Sequence, residues 1–200
     1  MIFYIKLLPY KIKLRRTKMR CSQDDFTTGR VFHVFNHAID DLKLFYDDED
    51  YNYFLQIFTD RINKIPAGII SYCLMPNHYH FLIRQDSDIK IYRLFNYTFI
   101  SYARYFNKQH DRKGPIFRSP LQHTVVETKT YMIKLSKYIH MNPVYANLAE
   151  KPEDWPYSNY REWINARKSK LFLPDIRQNC FPNSQKYREY VEAFTYHYEE

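Results

Sequence analysis

Two histidines one residue apart, His78 and His80, sit inside the apolar run "CLMPNHYHFLI" (Cys73 to Ile83), just after a Pro-Asn turn. A buried imidazole must find partners for both ring nitrogens or carry a costly unpaired group. On a strand, positions i and i+2 point to one face, so the two rings stand side by side, about 7 Å apart by strand rise. That geometry can chelate one cation. A lone histidine in such a run reads first as a satisfied core residue; for a pair, packing and ligation weigh about equally on physical grounds.

Two further groups of residues could do chemistry. Tyr131, Leu135, Tyr138 and Asn142 fall at i, i+4, i+7 and i+11, one helical stripe that makes Tyr138 and Asn142 neighbours a turn apart. In a chain with 20 tyrosines any one of them is most simply packing, so spacing alone does not single out Tyr138. Arg104, Lys108, Arg112, Lys113 and Arg118 are interleaved with Tyr105, Phe106 and Phe117. Cations that track phosphates beside aromatics that stack on bases suit single-stranded nucleic acid. A solvated helix end above core aromatics explains the same residues equally well.

The elements that must position these groups are legible in order. "RVFHVFNH" (30–37) predicts a strand. Tyr51, Phe54, Leu55, Phe58 and Ile62 predict a helix capped by Asp47 or Asp48. "GIISYCLM" and "HYHFLIR" predict a hairpin through Pro76-Asn77. An amphipathic run from Ile91 to Phe106 predicts a second helix, ended by the polar stretch before Gly114 and Pro115, and "QHTVVE" a short strand. A third helix is expected from Thr128 to Asn142, because the residue before Pro143 is pushed out of helical geometry. The order β-α-β-β-α-β-α predicts an α+β fold: a ferredoxin-like (RRM-like) antiparallel sheet with helices on one face, plus an added helix. "WPYSNYREWI" predicts an aromatic turn packed on the body, and "SQKYREYVEAFTYHY" a terminal helix through Tyr187, Val191, Phe194 and Tyr198.

Composition narrows the function classes. The chain of 200 residues, 45% hydrophobic and 18% aromatic, supports one core with appendages: a basic arm at 1–20, a body at 21–165 and an extension at 166–200. Its 3 glycines are isolated, so no Gly-rich phosphate cradle can be built. Its 3 cysteines are widely spaced, which suggests neither a disulfide framework nor a thiolate zinc site and points to a reducing, cytoplasmic setting. No apolar run is long enough to span a bilayer. The net charge of +8 is carried by the arm, whose seven Lys and Arg face no acid; the remainder holds 23 basic and 22 acidic groups. The arm could hold nucleic acid, or translation could begin at Met19.

"LMPNHYHFLI" together with "KYIHMNPVYANL" resembles the paired signatures of the single-tyrosine HUH transposases, in the branch that includes the REP-associated tyrosine transposases. "FNHAID", "SYARYFNKQHDRKGPIFRSP" and "WPYSNYREW" are similar to that family's pattern too, so the resemblance spans roughly residues 28 to 164. It implies that His78 and His80 are the HUH pair, that Tyr138 is the nucleophile, and that Asn142 completes the site of a divalent cation, Mg²⁺ or Mn²⁺. It implies nicking of single-stranded or hairpin-forming DNA through a 5′-phosphotyrosine link that a second strand can reseal without ATP. His37 departs from the pattern, standing where many relatives carry Arg. A non-catalytic nucleic-acid-binding module on the same scaffold, or a hydrolase in which the His pair activates water, are the alternatives. Whether the protein works as a monomer or a homodimer, with Tyr138 acting in cis or in trans, is left open by the sequence.

Overall fold

The computed structural model describes residues 26–169, 171 and 174–193; the basic arm expected at 1–20 lies outside them. Four strands, β1 (Val31–His37), β2 (Ala67–Met75), β3 (His78–Gln85) and β4 (Gln122–Val126), form one sheet in the order β2-β3-β1-β4. Every pairing is antiparallel. Helix α1 (Asp48–Ile62) links β1 to β2 and α2 (Ile91–Gln109) links β3 to β4, the two split β-α-β units that the sequence predicts.

Strand alternation divides the side chains between two cores. Phe32 and Val34 of β1, Tyr72 and Leu74 of β2, and Tyr79, Phe81 and Ile83 of β3 meet Phe54 and Phe58 of α1 and Phe95 and Tyr102 of α2. On the opposite face Ile70, Cys73, Met75, Leu82 and Val126 meet Leu135, Ile139 and Met141 of α3 (Lys129–Tyr145). A bulge between Ile69 and Ser71 adds one residue and reverses the phase of β2, so Ile69 before it and Tyr72 and Leu74 after it face the same core. The molecule therefore has three layers. The added helix lies on the sheet face that α1 and α2 leave open.

That helix runs past its expected stop. Pro143 sits inside α3, which continues to Tyr145 and ends where Asn147 adopts a left-handed conformation (φ 53°). A proline in the last turn forfeits one helical hydrogen bond, yet Pro143 O still accepts from Leu148 N at 2.8 Å. Thr128 caps the start, its hydroxyl accepting from Tyr131 N at 3.2 Å.

The C-terminal part covers the edge of the sheet. Asn159 accepts from Tyr72 N (2.7 Å) and donates to Ile70 O (3.0 Å), while the indoles of Trp155 and Trp163 donate to Leu74 O and Ile70 O. These bonds satisfy the outer groups of edge strand β2, which otherwise offer a template for pairing. A short helix, α4 (Tyr160–Trp163), follows. Two more, α5 (Pro174–Cys180) and α6 (Ser184–Glu192), close over α3 with Ile176, Tyr187 and Val191 buried. The expected terminal helix is α6; Phe194 and Tyr198 lie outside the described residues.

Candidate active site

The Pro76-Asn77 turn starts β3 at His78, so the histidine pair opens at one end of the sheet, on the face that α3 covers. Across β1, His78 is paired with His37 and His80 with Phe35. The rings of His78 and His80 lie edge to face, centroids 5.1 Å apart. The ring of Tyr138, carried by α3, stands edge to face on His80 at 5.5 Å. All these groups belong to one chain.

Hydrogen bonding fixes what each nitrogen can do. His78 Nδ1 lies 2.8 Å from Asn77 Oδ1, an acceptor, so Nδ1 carries the proton and Nε2 keeps a lone pair. Asn142 Nδ2 donates to Tyr138 O at 2.9 Å, which turns Asn142 Oδ1 toward that Nε2 at 3.5 Å. Two acceptors thus face one another. His80 Nδ1 lies 3.0 Å from His33 Nε2, and His80 Nε2 is buried without a partner among the described residues. His78 Nε2 and Asn142 Oδ1 have no proton to share, and the ring of His80, whose Nε2 has no partner, lies 5.1 Å from that of His78 and 5.5 Å from that of Tyr138, an arrangement a cation could reconcile. Among the described residues no cluster of three or more His, Cys, Asp or Glu could hold a metal ion. The donor set is therefore two neutral rings and a neutral amide.

Electrostatics keep the rings in the ligating form. Burial, then the neighbouring charge of His37, lowers His78 to about 4. Burial, followed by His78, His33 and His37, holds His80 well below the usual imidazole range. Neutral rings are the state that binds metal. Tyr138 goes the other way: burial pushes it up to about 12, against an opposing hydrogen bond from Asn142. Its phenol is protonated at neutral pH.

The cations expected to hold DNA divide. Arg118 N donates to His37 O at 3.0 Å, and Phe117 bridges to Ala38, so Arg118 stands at the site. Its charge, after burial, lowers His37. Arg112 donates to Asn107 Oδ1, helping to hold the turn after α2. Arg104 and Lys108 are exposed on α2, the layer across the sheet from the histidine pair, and Lys113 is exposed in the turn.

Three residues that sequence reasoning passed over shape the site. His33 partners His80. Asn77 orients His78. Asn36 accepts from Ser119 Oγ and His37 N and donates to Ser119 O, fixing the loop that carries Arg118. His33 and His37 share a strand face by the same alternation that marked the pair, a signal present in "RVFHVFNH"; the register that seats them against His80 and His78 is not written in either strand alone.

The chain's sequence and fold are similar to those of known proteins. The chain belongs to the IS200-like transposase family, whose model matches residues 31–142, more than half of its length. It is 24% identical over 152 residues to a Haemophilus influenzae protein assigned as a REP-associated tyrosine transposase, a match covering 71% of this chain and 86% of that one. Its fold is similar to the solved structure of a REP-associated tyrosine transposase bound to a REP hairpin. The TM-score is 0.58 at 13% identity, over 74% of this chain and 93% of the other.

Proposed function

We propose that this transposase cuts and rejoins single-stranded or hairpin-forming DNA through a 5′-phosphotyrosine on Tyr138, with Mg²⁺ or Mn²⁺ held by His78, His80 and Asn142. The observation that carries the reading is the grouping of His78 Nε2 opposite Asn142 Oδ1 with the unpartnered Nε2 of His80, whose ring stands against that of Tyr138. When bound, the cation supplies Lewis-acid polarisation of the scissile phosphate. The chain's neutral donors hold it modestly, and substrate oxygens complete the shell.

The chain's own residues do the rest. Tyr138 is held at the site by α3 and by its backbone bond to the Asn142 amide. Its oxygen bonds to phosphorus as the P–O3′ bond breaks. The phenol loses a proton and the departing 3′-oxygen gains one, so the link conserves the phosphodiester and the step reverses without a cofactor that is consumed. Arg118, beside His37, contacts DNA phosphates at the site; Arg104, Lys108 and Lys113, exposed on and after α2, meet DNA only where it runs past the sheet to the opposite layer, and Arg112 shapes the turn after α2. The hairpin held by the solved relative supports hairpin DNA as partner. The Tyr138 ring, 5.5 Å from that of His80 of the same chain, supports action in cis. A cytoplasmic location fits a DNA substrate, and no helix among the described residues is long and apolar enough to cross a membrane.

His78→Ala and His80→Ala test the reading. Each is expected to abolish Mn²⁺-dependent nicking of a labelled hairpin while hairpin affinity, read by fluorescence anisotropy, stays within about threefold of wild type, a shift of under ~1 kcal/mol. Normal nicking by either variant would return the pair to a packing role.

A further inference from the structure

His33 is an imidazole that the nicking chemistry leaves without a task. It is 2% exposed at the centre of β1, on the sheet face of His78 and His80. Its ring lies nearly parallel to those of Phe35 (centroids 4.8 Å) and His80 (5.1 Å), and its Nε2 lies 3.0 Å from His80 Nδ1. Two neutral imidazoles at that distance share one proton, and the ring that carries it decides what the far nitrogen of His80 can do. With the proton on His80 Nδ1, Nε2 is a lone pair. With the proton on His33 Nε2, His80 is left with a buried Nε2–H that has no acceptor and cannot ligate.

We propose that His33 is a positioning residue: it accepts the Nδ1–H of His80 and so holds that ring in the tautomer and orientation whose Nε2 lone pair faces Tyr138. The role rests on the reading of His80 as a cation ligand. His78 shows the same device with a different partner, its Nδ1–H held by Asn77 Oδ1, so that Nε2 is the nitrogen left with a lone pair. Beyond His33, Thr124 stands opposite it in the β1–β4 register, and its buried hydroxyl has no partner among the described residues. His33 Nδ1 is likewise buried without a partner among the described residues, and it is the nitrogen that carries the ring's proton in this tautomer. Partners that orient a metal-binding histidine are typically worth ten- to a hundredfold in metal affinity.

The test reads the tautomer directly. In metal-free protein, ¹⁵N-imidazole NMR of wild type is expected to show His80 protonated on Nδ1. His33→Phe keeps an aromatic ring and removes the acceptor, so His80 should move to Nε2–H or a mixture, and Mn²⁺ affinity measured by calorimetry should fall about ten- to a hundredfold. His33→Gln returns an acceptor and should restore both. A wild-type His80 protonated on Nε2, or a tautomer unchanged in His33→Phe, overturns the role. If the Phe variant does not fold, the wild-type tautomer and the Gln variant still decide. The cation reading is judged separately, by whether wild type binds Mn²⁺ and His80→Ala does not; its failure leaves the tautomer result to decide what His33 does.

Discussion

At the scale of single residues the site is made of lone pairs whose directions are set by neighbours. Asn142 illustrates the economy: one amide donates to the backbone of Tyr138 and turns its oxygen to His78. Asn142→Ala is expected to weaken Mn²⁺ binding about tenfold, ~1.4 kcal/mol, since water can replace one neutral ligand; His78→Ala should remove measurable binding. Calorimetry on the two variants checks the order, and equal losses would contradict it. The pair itself was legible because i, i+2 spacing on a strand is a local rule. The groups that orient it, His33 and Asn77, were not singled out, because what they do depends on register and on turn geometry that no periodicity encodes.

At the scale of elements, α3 is what brings a tyrosine to the sheet. His140, fully buried, donates from Nε2 to Asn159 Oδ1 (2.9 Å) and accepts from Tyr187 OH at Nδ1 (2.6 Å), tying α3 to the edge cover and to α6. His140→Ala leaves two polar partners short of a bond in a dry environment and is expected to cost roughly 3 kcal/mol in chemical unfolding. Thr128→Ala, which removes only the cap, should cost about 1 kcal/mol. A His140→Ala variant as stable as wild type would show that α3 is held by apolar packing alone. The start of α3 was readable from its capping threonine. Its end was not, because Pro143 looks like a stop in sequence, whereas a proline in a last turn is tolerated and the chain turns at Asn147. The edge cover was seen only as an aromatic turn: the side-chain bonds of Asn159 and the two indoles to β2 are long-range.

At the scale of the whole molecule, the sequence indicates a sheet, two crossover helices and an added helix, and the structure supplies the third layer. Aromatic residues fill both cores, and burial raises the phenols of Tyr72, Tyr102, Tyr160 and Tyr187 above the ordinary value of 10.0. A folded-state pKa raised above the unfolded one gives stability that is complete below pH 10 and lost as pH rises beyond it. The protein should therefore unfold in alkali. Phenolate absorbance from the buried tyrosines is expected to rise only together with the loss of circular dichroism. A single wave covering all 20 tyrosines, with the dichroism unchanged, would contradict the packing described here.

The central claim is that Tyr138 is the nucleophile, and covalent capture tests it most directly. Wild-type protein, Mn²⁺ and a labelled single-stranded hairpin substrate should give, on a denaturing gel, a protein-linked band carrying the DNA 3′ of the nick, and peptide mapping should place the link on Tyr138. Tyr138→Phe removes one oxygen and little packing, so it should fold, bind the hairpin and form no adduct. An adduct on another tyrosine, an undiminished adduct in the Phe variant, or nicking with no adduct at all would contradict the account.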